Sequence, residues 1–277
     1  MDPVRKALWF VESHSREPVA LEDIARACHV SAYHLTRAFA AATGLSLMRY
    51  VRARRLTGAA RRLALGADDI LGLALEIGYG SHEAFTRAFR EQFAATPEQV
   101  RASGRLDDIP LVEAITMTTT PAPDLAPPRF ETLKPTLFAG VAGRHNCQAP
   151  AGIPDQWQRF TPYLGAVPGR VGDAAYGVCY NFDRDGNFDY LSAVEVSGDT
   201  NLPVGLTSLR VPAHRYAVFT HRGHVAGVRA TITAIWNKWF PESGSKPTEA
   251  PTIERYGPEF DPRTGLGGFE IWVAVQD

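Results

Sequence analysis

Ser31-Ala32-Tyr33-His34-Leu35-Thr36-Arg37-Ala38-Phe39 recurs fifty residues later as Ser81-His82-Glu83-Ala84-Phe85-Thr86-Arg87-Ala88-Phe89. The stretches before the two copies, residues 24–30 and 74–80, also agree in residue type. Each copy reads as helix, tight turn, helix, and a duplicated unit of this kind is one supersecondary element used twice. Ser31 and Ser81 are suited to cap the second helix, because a hydroxyl there accepts from an orphan N–H of the first turn. Leu35 and Phe39 lie four residues apart on one face, as do Phe85 and Phe89, and those faces are expected to pack on the preceding short helices. The opposite face of the first copy carries Tyr33, His34, Thr36 and Arg37. That of the second carries His82, Glu83, Thr86 and Arg87. Such a mixture of Arg, His, Thr and an acid suits base edges and phosphates in a DNA groove. The chain front thus reads as two helix-turn-helix motifs.

Between the copies, Thr43-Gly44 ends one helix and Ser46 caps the next, which runs to Leu63. About 18 residues at 1.5 Å each span about 27 Å, close to the ~34 Å between successive major-groove faces. One chain can therefore present two reading helices without dimerising. Six arginines in this spacer (49, 52, 54, 55, 61 and 62) offer phosphate contacts, and some are expected to pair with Glu or face water instead.

The 277 residues are 45% hydrophobic and 21% charged, a globular composition that excludes a disordered or fibrous chain. The length suggests about two domains. No apolar run approaches the ~18 residues of a membrane helix, no signal peptide is apparent at the start, and the three cysteines are too scattered for a zinc site. A reduced, cytoplasmic protein without membrane association, metal or cofactor is expected. Residues 1–105 hold 15 basic and 11 acidic residues, a balance of +4 within a total of −1, so the rest carries −5. A basic front joined to an acidic back points to a polyanion partner at the front.

Residues 103–128 contain five prolines and a threonine run, which disfavours a long helix. Residues 1–105 are assigned to an all-α domain, 106–128 to a linker in which Leu111–Met117 suits a short strand, and 129–277 to an α+β domain. That back domain reads as two β-α-β-β halves. Strands at 136–141, 175–180 and 190–196 accompany a helix from Pro154 to Leu164. Strands at 214–220, 252–256 and 269–275 accompany a helix from Val225 to Phe240, with Val225, Val228, Ile232, Ile235 and Trp239 on its buried stripe and Pro241 ending it. The halves are expected to join into one curved antiparallel sheet with helices on one side and a cleft between them.

The front domain resembles the AraC-type DNA-binding domain, carried by IARACHVSAYHLTRAF, GLSLMRYVRARRLTGAARRL, EIGYGSHEAFTRAFREQF and the closing Thr96-Pro97-Glu98-Gln99-Val100-Arg101. The resemblance implies that the paired reading helices enter adjacent major grooves. Tyr33, Thr36 and Arg37 would then read bases from the first helix, and His82, Glu83 and Arg87 would sit at the groove from the second. Some relatives have Trp and Gln where this chain has Tyr33 and Thr36, so their DNA sequence does not transfer.

The back domain resembles the GyrI-like effector-binding domain through YGVCYNFDRDGNFDYLSAVEV, VPAHRYAVFTHRGHVAGVRATITAIWNKWFPESGSKP and IERYGPEFDPRTGLGGFEIWVAV. Joined to an AraC-type domain, this is the arrangement of the Rob-like regulators. The resemblance implies a small lipophilic, often cationic ligand in the central cleft, facing an acidic residue. Trp236, Trp239, Trp272 and Tyr180 supply aromatic faces for such a cation. Strand alternation puts Glu270 and Trp272 on one face and Ile271 on the other, so Glu270 faces the cleft if Ile271 faces the helices. Its counterpart in the first half is Glu195. Glu254 is the second candidate acid, with Arg255 as a competing partner.

The leading reading is a sequence-specific DNA-binding transcription regulator. Its partners are double-stranded DNA and a small-molecule effector, and RNA polymerase is a further candidate contact for its output. One alternative is a small-molecule hydrolase using Glu270 and a Tyr as acid and base. The absence of a nucleophile motif or metal set, and the joined DNA reader, weigh against it. Another is a ligand-independent regulator whose back domain docks a partner.

Overall fold

The computed structural model describes residues 2–14, 17–66, 69–117, 124–148, 152–198 and 201–276. By its internal contacts the chain divides into two compact units, Met1–Leu35 with Leu47–Thr119, and Thr36–Ser46 with Thr120–Asp277.

Helices α1 (Pro3–Ser13), α2 (Leu21–Cys28), α3 (Ala32–Thr43), α4 (Leu47–Ala64), α5 (Ile70–Glu76), α6 (His82–Phe93) and α7 (Pro97–Ser103) follow one another from the N-terminus. From Thr36 on, the residues of α3 and the turn to Ser46 are grouped with the second unit. The serine caps form as expected: Ser31 Oγ accepts from His34 N at 3.1 Å and Ser81 Oγ accepts from Ala84 N at 3.2 Å. The two turns differ in how they reverse. After α2 the left-handed residue is His29 (φ 59°), two positions before the serine cap. After α5 it is Gly78 (φ 86°), three positions before its serine. A side chain at Gly78 would be strained by that φ, and its Cβ would meet Pro18 Cβ at 2.9 Å.

Phe85, Phe89 and Phe93 are buried with Leu56, Ala60 and Leu63 of α4 and Ile70, Leu73 and Ala74 of α5 in one core. Leu111–Met117 forms no strand. It runs along α4, where Val112 N donates to Thr57 Oγ1 at 3.1 Å and Ile115 N donates to Tyr50 Oη at 3.2 Å. Thr57 is buried, so its hydroxyl recruits the passing backbone where no neighbouring strand could. Part of the expected linker is thus packed onto the first unit, while residues 118–123 of it lie outside the described residues.

The second unit is built on β1 (Arg129–Leu133), β2 (Thr136–Asn146), β3 (Ala175–Tyr180), β4 (Asn187–Val196), β5 (Thr207–Val211), β6 (His214–His221), β7 (Thr252–Tyr256) and β8 (Phe269–Ala274). They form one eight-stranded sheet in the order β1-β6-β8-β7-β3-β4-β2-β5, with every neighbouring pair antiparallel. The halves meet where β3 pairs with β7. Each half also lends an edge strand to the other: β1 borders β6, and β5 borders β2. These two edge strands have no counterpart among the expected elements.

The two sheet faces differ. One gathers Phe138, Val178, Leu191, Tyr216, Val218, Ile253 and Trp272 into a core. The other is covered by helices. There α8 (Gly152–Phe160) packs Phe160 against Leu137, Ala139 and Val194, and α9 (Val228–Ala234) is joined to β6 by a 2.8 Å hydrogen bond between His221 Nδ1 and Thr231 Oγ1. The expected helix from Val225 is a composite: a 3-10 turn, α9, a π-helical turn at Ile235–Trp239, then α10 (Phe240–Ser243). Pro241 does not end it. The proline sits in the first turn of α10, where its missing N–H costs no hydrogen bond, and Gly244 (φ 74°) makes the stop. The buried stripe is also rotated from the expected one, with Thr231, Ala234, Ile235, Trp236 and Phe240 inward and Val225, Val228, Ile232 and Trp239 half-buried. A π-helical turn adds residues per turn and shifts the phase of everything after it.

Candidate DNA-reading and ligand sites

Helix α6 presents an accessible polar face. Glu83 and Arg87 are exposed, and with Thr86, Arg90 and Glu91 they line an open surface depression. His82 Nε2 lies 2.8 Å from Glu98 Oε1 of α7, which fixes its ring. The Glu83 carboxyl is held below the ordinary carboxylate value, chiefly by its own backbone N–H and then by the Ser81 hydroxyl. Thr86 Oγ1 is buried without a hydrogen-bond partner. Arg90 extends the face by one turn beyond Arg87 and was not among the expected contacts. Spacing alone would have found it, three residues on from Arg87.

On α3, His34 is buried and Tyr33, Thr36 and Arg37 are half-buried. Arg37 is turned into the second unit. Its guanidinium carbon lies 3.6 Å from the Phe182 ring centroid and 5.2 Å from that of Trp236, and Nη2 donates weakly to Thr252 Oγ1 at 3.4 Å.

The spacer arginines divide by role. Arg54 makes a two-pronged pair with Glu12 (2.9 and 2.6 Å) and donates to Val112 O. Arg61 pairs with Glu113 and Arg62 with Glu76. Arg55 donates to Ile77 O at the end of α5. Arg49 and Arg52 are exposed.

In the second unit the acidic candidates lie on opposite faces of the sheet. Glu270 shares the face of Trp272, whose indole N–H donates to it at 3.0 Å. It is paired with Arg129 at 2.7 Å and Arg255 at 3.5 Å. Tyr180 packs on that same face. Ile271 and Glu254 are cross-strand partners on the helix-covered face. Glu254 there accepts hydrogen bonds from Tyr190 Oη at 2.8 Å and Tyr256 Oη at 2.9 Å. Trp157 Nε1 of α8 donates to Tyr190 Oη at 3.0 Å, so the network reaches the covering helix. Trp236 is buried on this side, and Trp239 stacks edge-on with Phe219 at 4.9 Å. The helix-covered face and the aromatic cluster are therefore one and the same. Of the six expected ligand residues, Glu254, Trp236 and Trp239 lie on it, and Glu270, Trp272 and Tyr180 lie across the sheet. Tyr190, Tyr256, Phe182 and Thr252 complete it and were not among the six.

Glu254 is deeply set yet not sealed from solvent. Desolvation pushes its pKa above the ordinary value, and the hydrogen bonds from Tyr190 and Tyr256 only partly offset this. Opposite it on β3 stands Gly177, where an added Cβ would lie 2.0 Å from Tyr190 Oη and 2.6 Å from Glu254 Oε2. The close approach of the carboxyl and phenol to the sheet requires glycine there.

Paired helix-turn-helix motifs beside a sheet that holds a carboxyl group among tyrosine and tryptophan rings define a DNA-binding protein with a small-molecule module. The chain belongs to the family of the GyrI-like small molecule binding domain, whose model matches residues 126–276, and residues 24–103 match a helix-turn-helix domain of the AraC type. It is an AraC-type transcription regulator. The Right origin-binding protein of Escherichia coli K12 is 28% identical over 272 residues, 95% of this chain and 92% of that protein. The transcriptional regulator Rob of Salmonella typhimurium matches to the same extent, 28% over 272 residues. A solved structure of SAV2435 bound to tetraphenylphosphonium is 20% identical, with a TM-score of 0.45 over 54% of this chain and 93% of that one. Among the described residues no helix is long and apolar enough to cross a membrane.

Proposed function

We propose that this regulator reads an asymmetric duplex site through α3 and α6 and is switched by a small lipophilic cation bound beside Glu254. The observation that carries the ligand reading is the environment of Glu254: an accessible carboxyl, set among Tyr190, Tyr256 and Trp236, whose hydrogen bonds come from neutral phenols. An incoming cation supplies the charge that this site lacks, and the rings supply cation–π and apolar contact. Glu270 is a poorer candidate because Arg129 and Arg255 already neutralise it. For DNA, the unlike faces of Tyr33, His34, Thr36 and Arg37 and of His82, Glu83, Thr86 and Arg87 favour two different half-sites.

Two measurements test this. Calorimetry of the full chain with tetraphenylphosphonium is expected to show binding that Glu254→Gln abolishes and Glu270→Gln leaves intact. Gel shifts on the regulator's own promoter are expected to show Arg87→Ala losing about 1–3 kcal/mol and tolerating changes at one base position. Binding that depends on Glu270 instead, or shifts indifferent to Arg87→Ala, would overturn the respective half.

A further inference from the structure

We infer that the Arg37 guanidinium is a tethered occupant of the Glu254 cleft, and that the effector displacing it is a planar, delocalised cation of the aryl-guanidinium or aryl-amidinium class. The inference rests on the reading of Glu254 as the ligand-facing acid.

Three observations converge. The first is the aromatic contact: Arg37 lies flat against Phe182 at 3.6 Å, with Trp236 at 5.2 Å, the arrangement in which a ring face holds a cation. The second is that the position is electrostatically part of the cleft. Thr252, which accepts from Arg37, is two residues from Glu254 on the same face of β7, and the Arg37 charge acts on the Glu254 carboxyl. The third is the tether. Ala41 O accepts from Thr233 Oγ1 at 2.9 Å and Arg229 Nε at 3.2 Å, Ala38 O accepts from Asn237 Nδ2 at 3.2 Å, and Ser46 Oγ donates to Arg184 O at 2.6 Å. These bonds hold the segment 36–46 so that Arg37 is delivered to one place.

The occupant is imperfect. Its one hydrogen bond to the cleft is long, and its Nε is buried without a partner. A free cation of the same flat shape, able to turn its N–H groups toward Glu254 and Thr252, gains bonds that the tethered side chain does not make. A guanidinium held in this box is also not available to a base edge. One side chain therefore serves either the cleft or the groove, and the effector decides which.

The test is a fluorescence and calorimetric titration of the full chain with phenylguanidinium, using neutral phenylurea as the shape control. An occupied site lowers apparent affinity by the fraction of time it is free. If Arg37 fills the cleft nine-tenths of the time, Arg37→Ala and Arg37→Gln are both expected to bind phenylguanidinium about tenfold more tightly than the wild type. Phenylurea should bind neither, and Glu254→Gln should abolish binding. Equal affinity of wild type and both Arg37 variants, with Glu254→Gln still inactive, overturns the tethered-occupant inference and leaves the cleft reading standing. The same holds if tetraphenylphosphonium binds and phenylguanidinium does not. If neither cation binds any variant, the cleft reading falls and the inference with it.

Discussion

Glu254 combines two properties that rarely meet in a structural carboxyl. It is desolvated enough for its pKa to rise, and open enough to be reached. A cation binds the ionised form, so binding must drive off the proton that burial favours. The groups acting on it are Tyr190, Tyr256, Arg37 and His221. Cation affinity is therefore expected to climb as pH rises above about 4.5, level off beyond the raised pKa of Glu254, and be accompanied by proton release. Calorimetry in buffers of different ionisation enthalpy measures that release. An affinity flat from pH 4.5 to 8 would contradict the assignment. Gly177→Ala tests the geometry from the other side. Its Cβ collides with the Tyr190–Glu254 pair, so cation binding should be lost or cut more than tenfold while the front domain still shifts DNA. Glu254 was legible in the sequence as one of two acids, but the choice between them was not. Strand alternation establishes that Glu270 and Ile271 face opposite ways. It does not say that the helices and the ligand cluster share a side of the sheet, and that shared side selects Glu254.

At the scale of the element, the spacer helix α4 shows why counting arginines overstates DNA contacts. Arg54 is clamped by Glu12, which also accepts from Tyr50 Oη at 2.6 Å. The Arg54 hydrogen bonds hold the Glu12 carboxyl below its ordinary range. A carboxylate with a lowered native pKa stabilises the fold fully above its unfolded value of about 4.3, and that contribution is lost as pH falls through the native value. Arg54→Ala is expected to cost about 2 kcal/mol of stability at pH 7, with a smaller difference at pH 3, and to leave the salt dependence of DNA binding unchanged. Arg49→Ala should do the reverse, leaving the melting temperature alone and flattening the salt slope by about one ion. Thermal melts and salt titrations read the two outcomes. The elements themselves were legible wherever burial imposes a period. Both Phe pairs, the serine caps and six of the strands follow from spacing. The edge strands β1 and β5 did not, because Arg129, Phe130 and Glu131 or Thr207, Ser208 and Arg210 are exposed and carry no alternation. The π-helical turn at Ile235–Trp239 likewise leaves no periodic mark, and it displaced the expected stripe toward Trp236.

At the scale of the whole molecule, the chain joins a duplicated DNA reader to a module with a cation-shaped deficit of charge. The duplication removes the need for a second subunit to make a two-groove reader, and the unlike faces of α3 and α6 make that reader directional. The central claim is that the two activities are coupled, since a ligand alters DNA affinity only by as much as it distinguishes the states that do and do not bind DNA. The direct measurement is fluorescence anisotropy of a labelled fragment of the regulator's own promoter, titrated with the full chain with and without saturating phenylguanidinium. The expected result is a shift in DNA affinity of about fivefold or more for the wild type, and none for Glu254→Gln. A cation that binds the wild type, as calorimetry would show, yet leaves its DNA affinity unchanged would contradict the coupling.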